Sequence, residues 1–109
     1  MAIYSRGDVV LVRYPFSDLT SIKVRPAVIV HSPHPSEDCI VVPLTSQIAG
    51  LLPGEFELAK WQAAGLHVPT AVKRGIYTIH QSLIVKTVRQ LAPSDLVRLS
   101  ASLQGWVGF

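Results

Sequence analysis

Cysteine is nearly absent from this chain. Its 109 residues include one, Cys39, which cannot close an internal disulfide and is too few for a zinc site. A disulfide scaffold and a cysteine-ligated metal centre are both excluded. Long apolar runs are missing too, since none approaches the roughly 20 residues that a membrane-spanning helix needs. The segment from Met1 to Asp8 lacks the apolar stretch of a signal peptide, which predicts a cytoplasmic protein with no membrane role. Charged residues make up only 16% of the chain, against roughly 25% in average soluble domains, while 49% are apolar. That balance excludes intrinsic disorder. There is no Walker-type phosphate loop, no GxGxxG, no HExxH and no closely spaced carboxylate pair. The four histidines, His31, His34, His67 and His80, form no ligand pattern, so neither a metal nor a cofactor is expected.

Acidic residues are unevenly short. Residues 1–59 hold four basic and six acidic side chains, a net of −2, whereas residues 60–109 hold six basic side chains against Asp95 alone, a net of +5. A basic half suits a polyanionic partner, although scattered single charges also serve as ordinary solubilising surface.

What is present points to short strands. At 11.9 kDa the chain has room for one domain, residues 1–109, with a single core. Asp8 to Tyr14 alternates, with Val10, Val12 and Tyr14 on one face and Val9, Leu11 and Arg13 on the other. Val24 to Val30 and Cys39 to Leu44 are β-branched runs of the kind buried on both faces. Pro43 lacks an N–H, so its strand must be an edge there or bulge away from a neighbour. Glu55 to Leu58, Thr70 to Thr78 and Leu83 to Leu91 read as further strands. Ala59 to Ala64 makes one or two helical turns stopped by Gly65. Pro93, Asp95 and the Leu96, Leu99, Leu103 spacing mark a C-terminal helix that Gly105 is expected to end. Five to seven short strands and one helix predict a mainly β fold, a small, partly open antiparallel barrel.

Two segments carry chemistry. Arg25 opens an apolar strand, and Pro26 restricts its backbone. A guanidinium stays charged and matches a phosphate at two points. Taken alone, Arg25 also reads as a strand-end cation that solubilises a barrel rim. Thr45, Ser46 and Gln47 follow directly on a buried strand, as phosphate-binding donors or as a turn satisfying its own backbone. Pairing of the second and third strands would bring Arg25 and Thr45 together.

Gly7-Asp8-Val9-Val10, Arg25-Pro26-Ala27-Val28-Ile29-Val30 and Pro43-Leu44-Thr45-Ser46-Gln47, in that order, resemble the MazF/PemK family of toxins of type II toxin–antitoxin systems. Gly65-Leu66, Pro69-Thr70-Ala71-Val72-Lys73, Thr78-Ile79 and Ser82-Leu83-Ile84 resemble its PemK-like branch, so the similarity covers essentially the whole chain. The resemblance implies an SH3-like barrel, a homodimer, a cognate antitoxin and metal-independent cleavage of single-stranded RNA. It puts the catalytic pair on Arg25 and Thr45. Ser46, Gln47, Lys23, Lys73, Arg74 and His80 become RNA-binding residues. Some relatives carry an acid two positions after the residue at Lys73, and Thr-Ile-Asp later. This chain has Gly75 and Thr78-Ile79-His80 there, which makes His80 a candidate neighbour of the site. The loop from Pro15 to Lys23 corresponds to a mobile loop of the family.

The implied chemistry is attack of the RNA 2′-hydroxyl on the adjacent phosphate, giving a cyclic phosphate and a 5′-hydroxyl. Arg25 would neutralise the phosphorane and Thr45 would bind a nonbridging oxygen. Arginine is a poor general base, which leaves the proton carrier open between Arg25, His80 and water. Two alternatives remain: a non-catalytic, CcdB-like toxin that poisons DNA gyrase, and a family member that binds RNA or antitoxin without cutting. A mean hydropathy of +0.36 and the apolar end Trp106-Val107-Gly108-Phe109 also predict a homodimer that buries the surplus.

Overall fold

The computed structural model describes residues 4–15, 22–31 and 36–108, with 14, 15 and 22 described by their backbone alone. Most of the Pro15–Lys23 loop, the Ser32–Pro35 segment with His34, and Phe109 lie outside the described residues. The strands are β1 (Asp8–Pro15), β2 (Ile22–His31), β3 (Asp38–Thr45), β4 (Phe56–Glu57), β5 (Ala71–Val72), β6 (Tyr77–His80) and β7 (Ile84–Gln90). One helix, α1 (Pro93–Val107), follows them. The sheet order is β4-β5-β3-β2-β1-β7, with β6 also on β3, and all its pairings are antiparallel. This is the expected partly open antiparallel barrel with a C-terminal helix.

Alternation along the first three strands divides the core between two faces. Val9, Val28, Val42 and Leu44 point to one cluster, which Leu96, Leu99, Leu103 and Trp106 of α1 cover. Val10, Val12, Ala27, Ile29, Cys39 and Val41 point to the other, closed by Ile79, Leu83 and Ile84. Both faces are buried, so these strands carry continuous apolar runs and their register is strongly specified.

Pro43 resolves its missing N–H by position. On the flank away from β2, β6 pairs with β3 only as far as Val41, and β5 takes over at Leu44. The Pro43 carbonyl accepts the Lys73 N–H on that flank at 3.0 Å, so the proline nitrogen faces the interval between two neighbours. On that flank the strand lacks a paired neighbour only at Val42 and Pro43. The same interval splits the expected Thr70–Thr78 strand, because residues 73–76 cross from one neighbour position to the next.

Two other expectations are corrected. Gly105 does not end α1: the helix runs to Val107 and stops at Gly108, whose φ of 86° and N–H to the Gln104 carbonyl (2.8 Å) form a left-handed cap. Trp106 holds that last turn in place by donating its indole N–H to the Pro53 carbonyl at 3.1 Å. Trp106 is therefore spent within the chain and does not belong to an unpartnered apolar end.

Residues 59–65 form hydrogen-bonded turns that end, as expected, at Gly65 with φ of 84°. A Cβ at Gly65 would lie 2.6 Å from a Val88 methyl, so both backbone and space demand glycine there. Asp95 sits in the first turn of α1, fully buried, but its carboxylate reaches across instead of capping its own helix. It accepts the N–H groups of Ala59 at 2.9 Å and Lys60 at 3.0 Å.

Candidate active site

The β2–β3 register runs Val28↔Val42 and Ala27↔Pro43, and its continuation sets Arg25 across from Thr45. The pairing that the Arg25–Thr45 argument required is present. Both residues line a cleft of about 770 Å³, together with Pro43, Leu44, Ser46 and Gln47. Leu66, His67, Val68 and Thr70 line it from the connection before β5, and Lys73 and Tyr77 complete it.

Positions in the sheet aim these groups, although Arg25 does not open its strand as expected: it lies inside β2, opposite Val12 of β1. Thr45 is the last residue of β3, and its Oγ1 accepts the Gln47 N–H at 3.1 Å. That contact fixes the Thr45 rotamer and leaves its hydroxyl proton to donate. Among the described residues, none offers an acceptor or a carboxylate to the Arg25 guanidinium. Lys73 is held through its backbone on Pro43, with its side chain on the cleft. The described lining thus carries two cations, several neutral donors and no carboxylate. It suits an anion.

Beside it lies a depression of about 150 Å³, which shares Thr45, Gln47 and Lys73 with the cleft and adds Glu55. Glu55 accepts the Leu52 N–H at 2.7 Å and the Arg74 N–H at 2.8 Å. The Arg74 N–H, then the Leu52 N–H, hold the Glu55 carboxyl below the usual carboxylate range against the opposing effect of burial, and the Lys73 and Arg74 charges add smaller contributions. Glu55 thereby ties the loop after β3 to the segment that carries Lys73.

Not every expected residue reaches the cleft. Arg25, Thr45, Ser46, Gln47 and Lys73 line it together. Lys23 lies two residues before Arg25 on β2, and Arg74 contributes its backbone to Glu55; neither lines the cleft. His80 is set apart altogether. It pairs with Asp38, seven positions along β3 from Thr45, which at the rise of a strand is about 23 Å. Its Nδ1 accepts the Ser82 N–H at 3.1 Å and contacts the Ser82 hydroxyl at 2.8 Å, and its Nε2 is 3.6 Å from Glu37. The structure does not bring His80 beside Arg25. The basic C-terminal half is also not all surface for a polyanion, because Arg98 stacks over the Phe56 ring at 4.3 Å. Sequence reasoning missed His67, since no motif surrounds it.

Among curated proteins, none matches the chain. Solved structures do. The toxin MazF-mt6 of Mycobacterium tuberculosis superposes with a TM-score of 0.74 at 20% identity, over 94% of this chain and 97% of that one. MazF in a MazE–MazF crystal structure from Deinococcus radiodurans gives 0.80 at 16% identity, covering 100% of this chain and 99% of that one. An endoribonuclease in complex with its cognate antitoxin, from a mycobacterial species, gives 0.75 at 15%, over 95% and 94%. At such identities the likeness shows the fold. The family model of PemK-like, MazF-like toxins of type II toxin–antitoxin systems matches residues 5–107, nearly the whole chain, and the protein belongs to that family.

Proposed function

We propose that this toxin is a metal-independent endoribonuclease that cleaves single-stranded RNA, including mRNA in the cytoplasm, and so stops translation and growth. One observation carries the reading: the Arg25 guanidinium, without a partner among the described residues, and the Thr45 hydroxyl, held on the Gln47 N–H, line one anion-suited cleft from adjacent strands. RNA supplies its own nucleophile, so the protein has to position the 2′-hydroxyl and stabilise charge on the phosphate. The Arg25 guanidinium binds two phosphorane oxygens and the Thr45 hydroxyl donates to one of them. The O2′–P bond forms, the P–O5′ bond breaks, and the products are a 2′,3′-cyclic phosphate and a 5′-hydroxyl. Ser46 and Gln47 border the scissile nucleotide, and Lys73 meets the backbone.

The proposed partners are a cognate antitoxin, which one superposing endoribonuclease carries in its complex, and a second copy of the chain. The exposed apolar side chains Val24, Ile48, Ile76 and Tyr77 support burial against protein. Purified protein incubated with a long single-stranded RNA in EDTA tests the reading, with end-group analysis of the fragments. Cleavage to cyclic phosphate ends that is lost in Arg25→Ala supports it. Intact RNA together with inhibited gyrase supercoiling would replace it with the gyrase poison, and intact RNA with retained binding would leave a binding module.

A further inference from the structure

The proposed cleavage moves a proton off the 2′-oxygen, and neither Arg25 nor Thr45 is a base. Arginine, lysine and tyrosine ordinarily release protons at about pH 10 and above. The charged and titratable groups facing the cleft are Arg25 on β2, Lys73 after β5, Tyr77 on β6, and His67 on the connection before β5. Glu55 stands in the adjoining depression, already accepting two backbone N–H groups. His67 is thus the described lining residue whose type exchanges protons near neutrality.

Its setting is that of a placed group. Leu66 packs into the helix-side cluster and donates its N–H to the Trp61 carbonyl at 3.2 Å. On the other side, the Thr70 hydroxyl donates to the Val68 carbonyl at 2.8 Å, and the Thr70 carbonyl accepts the Leu58 N–H at 2.8 Å. Behind both, buried Asp95 pins the start of the turn. The backbone carrying His67 is fixed from three directions, whereas no described residue hydrogen-bonds either ring nitrogen. His80 is the opposite case, with both ring nitrogens occupied or beside a carboxylate.

We propose that His67 is the general base of the RNA cleavage. This rests on the endoribonuclease reading. The neutral imidazole takes the 2′-hydroxyl proton as the O2′–P bond forms, the P–O5′ bond breaks, and the departing 5′-oxygen takes a proton from solvent water in the open cleft. The base works only when deprotonated, so its contribution should show as a pH-dependent limb of the rate that a variant lacking the imidazole does not have.

Single-turnover cleavage of a mixed-sequence single-stranded RNA, from pH 5 to 8.5 in EDTA, reads this directly. His67→Ala should lose roughly 10²–10⁴ in rate and the pH-dependent limb that the wild-type protein shows. It should bind a 2′-deoxy analogue within about threefold of wild type, and added imidazole should restore part of the rate. His67 is exposed, so an unchanged melting temperature is expected. Wild-type rate and pH profile in His67→Ala would overturn the assignment while leaving the ribonuclease intact. So would a loss carried wholly by weaker binding. RNA left uncut by the wild-type protein would remove both readings together.

Discussion

The two ends of β3 hold similar chemistry in opposite states. At the Asp38 end, His80, Ser82, Glu37, Ser36 and Asp38 satisfy one another: the imidazole engages Ser82 and faces Glu37, and Ser36 donates to the Asp38 carboxylate at 3.1 Å. At the Thr45 end, a guanidinium, an ammonium and an imidazole share a cleft with no described carboxylate among its lining. A polar cluster that closes on itself stabilises a loop, while one whose donors are left over has room for a ligand. Both ends carry polar and titratable side chains, and partnership separates them.

The largest effects should fall at the open end. Arg25→Ala removes the charged donor from the proposed phosphorane site, and a loss of about 10³ in cleavage rate is expected, at the upper end for one preorganised donor. Arg25→Lys should not restore it, because an ammonium lacks the planar two-point grip. Thr45→Val should lose about 10², and the double variant should cost less than the product of the singles, since both grip one phosphate. Rates from single-turnover assays, beside melting temperatures, measure all three.

Asp95→Ala tests whether the open end depends on a support far from it. The N–H groups of Ala59 and Lys60 lose the buried carboxylate that accepts them, which should cost about 1–3 kcal/mol in denaturant unfolding. The turn below His67 should loosen, so cleavage should fall more than the melting temperature alone accounts for. Lys73→Ala should act gently, weakening every RNA sequence about equally and lowering the salt slope of binding by roughly 0.7 for the one phosphate lost. His80→Ala, at the closed end, should leave the cleavage rate within about twofold and cost only a few tenths of a kcal/mol, as for other exposed sites. A large catalytic loss in His80→Ala would erase the distinction between the two ends.

Much of this was legible in the chain because two-residue alternation and the Leu96, Leu99, Leu103 spacing report burial directly. The β1–β3 unit and α1 follow from those patterns, and the Arg25–Thr45 juxtaposition follows once β2 and β3 pair. Local signals failed where tertiary contacts decided. Gly105 resembles a helix stop, but Trp106 on Pro53 keeps the helix going for another half turn. Thr70–Thr78 resembles one strand, but the Pro43 carbonyl turns it at Lys73. His80 looked suited to the site by its place in a motif, and the β3–β6 register carries it to the far end. His67 lies in Leu66-His67-Val68-Pro69, where no spacing marks a site; a partner contributed by a separate strand pair makes it visible.

Pro43 interrupts the sheet beside the cleft. A strand with an N–H at this point could carry its ladder from β5 to β6 without a break beside the cleft. A single imino acid forbids that continuity without any bulky side chain, and it does so from inside the sheet. The break in the ladder is therefore built into the hydrogen-bonding capacity of the backbone.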